Sequence, residues 1–228
     1  IIKCKELDIP VLLDAKRGDI GKTSKAYAKA LFEFWEADAI TVAPYMGSDS
    51  VGPFTDYCSN NNSADERDDN NVSKGVYVLC RTSNKGAIDL QNLEIVNNGS
   101  DSSSNNIPIY MKTAEKIAKE WYKEGIGAVV GATYPAELIK ISQFFVNSGK
   151  QIPLLIPGVG AQGGSAKEVI EALKRTGNDI RLHRINSSSG INYAYLKKEG
   201  NNDNNFVNAA VEALKELIFE IGPIRVEH

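Results

Sequence analysis

The sequence of 228 residues lacks several features that would place it in a functional class at once. It has no apolar run near 18 residues, so a membrane-spanning helix is excluded. Its formal charge of −3 gives no basic surface for nucleic acid. Cys4, Cys58 and Cys80 are odd in number and widely spaced, so they form neither a disulfide framework nor a zinc pattern. We therefore expect reduced thiols in a cytoplasmic protein that binds neither nucleic acid nor membrane.

Hydrophobic residues make up 42% of the chain, and they occur in short runs separated by amphipathic stretches. Helical patterns include a capping box that begins at Ser165 and a long closing helix from Val207 to Ile221. Strand-like runs alternate with such helices, which predicts a parallel α/β fold with a sizeable core. Six apolar, β-branched runs are the predicted strands, namely residues 10–13, 39–42, 75–79, 127–131, 153–156 and 180–185. Several of them are nearly continuous in apolar residues, as strands buried on both faces should be.

The number of strand–helix units bears on which parallel fold this is. Six units fall short of the eight in a closed (β/α)8 barrel, which usually has about 250 residues. A doubly wound sheet needs fewer strands but binds its ligand at a single crevice. Here chemistry-bearing residues follow nearly every strand, as in a barrel whose loops converge on one mouth. We therefore predict an α/β fold of the (β/α)8 TIM-barrel type that lacks its N-terminal strands.

Three polar tracts interrupt the pattern without dividing it into domains. Residues 59–71, 97–106 and 201–205 are dominated by Asn, Asp and Ser and cannot bury apolar area. Each tract falls between one predicted element and the next, so we predict one domain over residues 1–228 with three loop insertions. Residue 1 is Ile, and a strand-like run begins within the first dozen residues, so we expect upstream sequence in the native protein.

The densest chemical signal is DAKRGDIGKT, residues 14–23. Residues i and i+2 of a strand point to the same side, so Asp14 and Lys16 are expected to share a face, with Asp19 following in the loop. Carboxylates around the ammonium group favour its charged form and hold it in place. The lysine can then deliver a proton to a carbanion. The alternative interpretation is a surface salt bridge beside a helix cap.

Two later loops have the composition of an anion site. Residues 157–164 read PGVGAQGG, whose glycines let the backbone approach a phosphate while Gln162 donates to it. Residues 187–190, after the last predicted strand, offer three serine hydroxyls and a glycine amide. Phosphate sites after the last two strands recur in barrels. For the glycine-rich loop a flexible connector is the alternative interpretation.

The segment DAKRGDIGKT resembles the signature of the orotidine 5′-phosphate decarboxylase family, in the branch that has DAKRGDIG. Four further segments, at the other predicted strands, are similar to the same branch: ADAITVAPYMGSDS, GVYVLCRTSNKGA, GAVVGATYPAEL and LLIPGVGAQGGS. The similarity runs in order from about residue 10 to about residue 194. It is therefore far more specific than an isolated D-x-K-x-x-D pattern.

The resemblance implies a homodimeric (β/α)8 barrel without metal or organic cofactor, which converts orotidine 5′-phosphate to uridine 5′-phosphate (UMP) in the last step of pyrimidine nucleotide synthesis. By that similarity Lys16 protonates C6 of the pyrimidine as carbon dioxide leaves, and Asp14 lies by the substrate carboxylate and the ribose. Asp19, Ile20 and Thr23 are implied to reach into the partner subunit's site. The implied substrate contacts are Thr82 and Ser83 at the pyrimidine edge and, around the phosphate, Pro157, Gln162, Ser188, Ser189 and Gly190.

The chain departs from the family pattern in two places. The family has NSSRGI after the last strand, with an arginine that clamps the phosphate, whereas this chain has NSSSGI with Ser189 in that place. Loss of the cation weakens phosphate binding by about 1.5–3 kcal/mol unless another cation, such as Arg184, replaces it. The family's aspartate and lysine on the first two strands have no place in this chain, which agrees with an N-terminally incomplete barrel.

Two other functions stay open at this point. A related barrel with the same D-x-K-x-x-D motif acts on sugar phosphates with magnesium held by carboxylates, and a chelator separates it from the first hypothesis. No additional acidic residue follows the expected strand ends. The other alternative is a catalytically weak scaffold that binds nucleotide phosphates, and it is motivated by Ser189 and by the absence of the N-terminal strands. Such a protein would bind the product tightly without turnover.

Overall fold

The computed structural model describes residues 1–58, 73–96, 106–160, 162–197 and 205–223. Strands and helices alternate along most of this length. The strands are β1 (Leu12–Arg17), β2 (Ala39–Val42), β3 (Gly75–Arg81), β4 (Glu94–Ile95), β5 (Ile107–Pro108), β6 (Ile126–Val130), β7 (Leu154–Ile156) and β8 (Arg184–Ile185). The helices are α1 (Ile2–Glu6), α2 (Gly21–Lys29), α3 (Ser48–Thr55), α4 (Ile109–Lys119), α5 (Pro135–Asn147), α6 (Ala166–Thr176), α7 (Ser188–Asn192) and α8 (Phe206–Ile221).

Six strands form a sheet in the order β1-β2-β3-β6-β7-β8, and β4 and β5 form a separate antiparallel pair. The pairs β1–β2, β2–β3 and β7–β8 are parallel. In the second of these pairs Ala39 stands opposite Gly75 and Val42 opposite Val78. The strands at the middle of the order are buried on both faces, which is why their sequences are nearly continuous apolar runs. The predicted parallel α/β fold is confirmed.

Five of the six predicted strands are present, and the sixth is mostly wrong. The run 180–185 begins as a 3₁₀ turn, Ile180–Leu182, and only Arg184–Ile185 pair as a strand. The cause is local, because the Asp179 carboxylate accepts the backbone N–H of Arg181 at 3.0 Å and starts a turn. The first predicted strand, by contrast, continues from residue 13 to Arg17.

The chain groups into two compact units. The first contains Ile1–Cys80, Leu90–Val129 and Ile152–Leu154. Its core consists of strand side chains such as Ile40 and Val78 together with Ile117 of α4. Cys58 is buried here, and burial raises the pKa of its thiol to about 12, so the group stays protonated and unreactive.

The second unit contains Arg81–Asp89, Val130–Gln151 and Leu155–His228. Its core lies where α5 packs against α6, and a buried hydrogen bond of 2.7 Å joins the Ser142 and Thr176 hydroxyls there. The serine half of the predicted capping box is present, since Ser165 Oγ accepts the N–H of Glu168 at 3.3 Å. The predicted closing helix is α8, and many of its apolar side chains are exposed.

The predicted loop insertions and the predicted single domain are not tested by the described residues. The insertions at 59–71, 97–106 and 201–205 lie outside the described residues, apart from Asn106 and Asn205. The prediction of one domain over residues 1–228 stays a prediction. In the described ranges, every helix is too short or too polar to cross a lipid bilayer.

His183, just before β8, makes the stability of the fold depend on pH. Burial lowers the pKa of this histidine to about 4, although the Asp179 carboxylate acts in the opposite direction. Above pH 6.5 both the folded and the unfolded histidine are neutral. Between pH 6.5 and 4 the histidine binds a proton in the unfolded chain but stays neutral in the folded chain. The free energy of unfolding therefore falls over this range, by roughly 3 kcal/mol in total.

Urea denaturation at several pH values tests this expectation, with His183→Gln as the comparison. The variant should lose less stability than the parent between pH 6.5 and 4, because glutamine does not titrate. Parallel stability curves for the two proteins would show that the histidine is not the cause.

Candidate active site

The first group of predicted site residues lies in the first unit, on a bulge in β1. Leu12 and Leu13 pair with Ala39 and Ile40 of β2, and pairing resumes only at Arg17, opposite Val42. Residues 14–16 therefore stand opposite a single residue of β2. The bulge places Lys16 in the left-handed backbone region, at φ +45°.

Asp14 and Lys16 form an ion pair on this bulge. Lys16 Nζ donates to Asp14 Oδ2, and about half of each side chain is exposed, 52% and 59% respectively. A half-exposed pair contributes little to stability because solvent screens it. The pair is therefore better placed to meet a ligand than to hold the fold together.

Thr41 is a residue of this group that the sequence did not reveal. Its side chain is fully buried in β2, opposite the bulge. Its hydroxyl donates to Asp14 Oδ1 at 2.8 Å and accepts the backbone N–H of Lys16 at 2.9 Å. The only available signal was one polar residue inside an apolar strand.

Asp19 begins the turn that leads into α2. Its carboxylate accepts the N–H of Ile20 at 2.7 Å, and its backbone N–H donates to the hydroxyl of the buried Ser24 at 3.1 Å. In the described part of the chain Asp19 makes no hydrogen bond to Lys16. The structure thus brings Asp14 and Lys16 together, whereas Asp19 and Ile20 belong to a separate turn and Thr23 lies in the first turn of α2. Ile20 is 63% exposed and Thr23 is also exposed.

The second group of predicted residues lies in the second unit, where Thr82 and Ser83 follow β3. Thr133 Oγ1 donates to the Ser83 carbonyl at 3.0 Å. Ser83 also packs against two glycines, since a Cβ at Gly131 would lie 2.7 Å from its Cα, and one at Gly158 would lie 2.8 Å from its Cβ. Only glycine fits these two places, which fixes the turn after β3.

Arg81, the last residue of β3, is fully buried beneath this turn, and the sequence analysis did not identify it. Its Nη1 donates to the Thr82 carbonyl at 2.8 Å. The guanidinium lies 3.9 Å from the centre of the Tyr134 ring, and Nη2 is 3.8 Å from Glu137 Oε1. The sequence signal for this arrangement was the position of Arg81, a charged residue at the end of the apolar strand β3.

The loops after β7 and β8 meet in the same unit. Gly164 N donates to Gly158 O at 3.0 Å, which brings these two glycines of the first loop together, and Gln162 is exposed. Ser187 Oγ donates to Val159 O at 3.1 Å and ties the second loop to the first. This hydrogen bond joins the two loops that contain the predicted phosphate residues, which are Pro157 and Gln162 in the first and Ser188, Ser189 and Gly190 in the second.

Arg184 is the cation suggested in place of the one absent at Ser189, and its guanidinium contacts two backbone carbonyls. Its Nη1 donates to the carbonyls of Arg181 and His183 at 3.1 and 3.0 Å. Both carbonyls lie before β8, whereas Ser189 lies after it. That Arg184 replaces the family's arginine stays a prediction.

The structure is similar to solved structures of known proteins. One is the orotidine 5′-monophosphate (OMP) decarboxylase of Leishmania donovani, 34% identical, with a TM-score of 0.66 over 94% of this chain and 70% of that one. Another is the orotidine 5′-monophosphate decarboxylase of Methanocaldococcus jannaschii, complexed with the inhibitor BMP, at 22% identity and a TM-score of 0.64 over 96% and 77%. The parallel sheet with its alternating helices defines an α/β protein of the (β/α)8-barrel class.

The chain belongs to the orotidine 5′-phosphate decarboxylase / HUMPS family, whose model matches residues 1–199. The orotidine 5′-phosphate decarboxylase of Herpetosiphon aurantiacus is 48% identical over 165 residues, which are 72% of this chain and 52% of that protein. That of Bordetella pertussis is 38% identical over 225 residues, 98% of this chain and 70% of that protein. The chain thus spans between about half and 70% of the length of these curated relatives. The family resemblance seen in the sequence is confirmed.

Proposed function

We propose that the protein decarboxylates orotidine 5′-phosphate to UMP, the last step of de novo pyrimidine nucleotide synthesis. Family membership supports this proposal, and the ion pair of Asp14 and Lys16 on the bulge of β1 is the observation that carries it. The relatives named above are decarboxylases, and the proposed reaction class is taken from them.

The proposed reaction needs only a proton donor and a negative charge. The bond between C6 of the pyrimidine and the carboxylate carbon breaks, carbon dioxide leaves, and the electron pair stays on C6. Lys16 Nζ gives its proton to that carbon and regains one from solvent. Asp14 repels the negative substrate carboxylate but not the neutral carbon dioxide that leaves, and the negative charge moves to C6 beside the Lys16 ammonium group. The repulsion is therefore relieved as the transition state forms, which lowers the barrier.

Substrate binding is assigned to the second group of residues. The hydroxyls and amides of Thr82 and Ser83 suit the hydrogen-bonding edge of a pyrimidine. Gln162, the serines after β8 and the backbone N–H of Gly190 can donate hydrogen bonds to a phosphate. Pro157 has no backbone N–H, so it is assigned only to line the site. We also propose a cytoplasmic location, because Cys4, Cys58 and Cys80 form no disulfide.

A turnover assay on the full-length protein tests the proposed function. Release of carbon dioxide from orotidine 5′-phosphate, unaffected by a chelator, is the expected result. Activity that a chelator removes would favour the magnesium-dependent sugar-phosphate alternative. Tight binding of UMP without turnover would favour a nucleotide-binding scaffold, for which Ser189 is the specific observation.

Introducing Ser189→Arg should restore the missing cation and strengthen phosphate binding. A charge-assisted hydrogen bond is worth about 1.5–3 kcal/mol, so the Kd for UMP should fall by roughly 10- to 150-fold. Calorimetric titration measures the change. Uridine, which has no phosphate, serves as the control ligand, and its affinity should not change. An equal gain for uridine, or no gain for UMP, would contradict the assigned place of the phosphate.

We further propose a homodimer with shared sites, because the exposed Ile20 and Thr23 border Asp19 on an exposed turn. A mixture of Lys16→Ala and Asp19→Ala subunits should then recover activity. Each mixed dimer has one site with both native residues, so random mixing restores up to about a quarter of the parent's sites. Activity of the mixture is compared with that of each variant alone. Absence of recovery in verified mixed dimers counts against shared sites.

A further inference from the structure

The hydroxyl of Thr41 connects the two halves of the ion pair on β1. It donates to Asp14 Oδ1 at 2.8 Å and accepts the backbone N–H of Lys16 at 2.9 Å. We propose that Thr41 is a positioning residue, which holds Asp14 and Lys16 in the arrangement needed for proton transfer. This inference rests on the proposed function, in which Lys16 is the proton donor.

The hydrogen bonds of Thr41 have only one possible direction. The Lys16 amide has a proton and no free acceptor, so the hydroxyl must accept from it. The single hydroxyl proton then goes to the Asp14 carboxylate. The side chain is also β-branched and fully buried in a strand, so its χ1 rotation is restricted. Thr41 therefore imposes one arrangement on both neighbours.

The backbone at Lys16 shows why such a support is needed. A residue other than glycine with φ near +45° is unfavourable and persists only where surrounding contacts enforce it. The contact with Thr41 Oγ1 is formed by the amide of that same residue. Without it, the bulge can relax toward regular pairing with β2, which would change the direction of the lysine side chain.

The Asp14 carboxylate is fixed through both of its oxygens. Oδ1 accepts from Thr41, and Oδ2 accepts from Lys16 Nζ. Removal of the first contact lets the carboxylate rotate and take the ammonium group with it. A displacement of about 1 Å in a reacting group can cost about 10²-fold in rate. The loss is expected in kcat, because neither contact involves the proposed phosphate or pyrimidine residues.

The kinetic test is Thr41→Val, which keeps the shape of the side chain and removes its hydroxyl. We expect kcat for orotidine 5′-phosphate to fall by about 10²-fold while KM stays within about threefold. Thr41→Ser, which keeps the hydroxyl, should restore most of kcat. The matched control is Thr55→Val, because Thr55 is also buried in the first unit and its hydroxyl donates to Gly52 O, at 3.1 Å. The control should keep the parent's kcat, whereas an equal loss in both valine variants would reduce Thr41 to a structural role.

Hydrogen exchange at the Lys16 amide gives a readout that does not depend on activity. The parent and the serine variant should protect this amide, and the valine variant should expose it. If the parent has no turnover but the valine variant loses protection, the proposed function fails and the positioning role stands. Unchanged protection together with an unchanged kcat overturns the positioning role. Should the valine variant not fold, Thr41→Ala is expected to show the same loss of kcat and of protection.

Discussion

Replacing Lys16 with alanine is expected to lower kcat for decarboxylation by about 10⁴-fold or more, while the affinity for UMP stays within about tenfold. The variant has no group to protonate C6, and it loses the positive charge that neutralises Asp14 as the carbanion forms. The phosphate and pyrimidine contacts are assigned to other residues, so binding is preserved. Steady-state kinetics and calorimetric titration with UMP measure the two quantities separately.

Two further variants separate the role of the proton from that of the charge. Lys16→Arg keeps a cation but has a guanidinium that does not release its proton, so its kcat should stay close to that of the alanine variant. Lys29→Ala is the matched control, because Lys29 lies in α2 of the same unit and pairs only loosely with Glu33, at 3.8 Å. It should keep the parent's kcat. Substantial activity in either Lys16 variant would exclude the lysine as proton donor.

Sequence patterns predicted the strands best where burial alone decides the structure. Strand β2 has the predicted bounds, Ala39–Val42, since an apolar β-branched run buried on both faces has few alternatives. The cap of α6 was equally predictable, because the Ser165 side chain accepts the N–H of Glu168 within the same four residues. Strand β8 was not, because the Asp179 side chain competes locally for the backbone of the predicted strand.

The candidate site was predictable in its reactive residues and not in their supports. The spacing of Asp14 and Lys16 along one strand is enough to suggest a pair. The bulge depends on how β1 pairs with β2, and the roles of Thr41 and Arg81 depend on contacts with residues distant in the sequence. A sequence pattern describes periodicity within an element and contains no information on such pairings. Both supports appeared only as polar residues within apolar runs.

Arg81→Ala is expected to destabilise the protein by about 3–5 kcal/mol, the usual cost of breaking a buried charged network. The substitution removes the charge-assisted hydrogen bond to the Thr82 carbonyl and the contact with the Tyr134 ring. It also leaves the mostly buried Glu137 without its nearby cation. Urea denaturation measures the free energy of unfolding. Binding of UMP should weaken as well, since the turn of Thr82 and Ser83 loses its support.

The control for this prediction is Arg181→Ala, an arginine of the same unit whose pair with Asp179 is exposed to solvent. The urea concentration at the midpoint of unfolding should be nearly the same for this variant as for the parent, because solvent screens such a pair. Arg81→Met then separates packing from charge, because an apolar side chain of similar length refills the site but cannot bond to Thr82. We expect methionine to recover much of the stability and little of the affinity for UMP. An alanine variant as stable as the parent would show that the buried guanidinium does not support the turn.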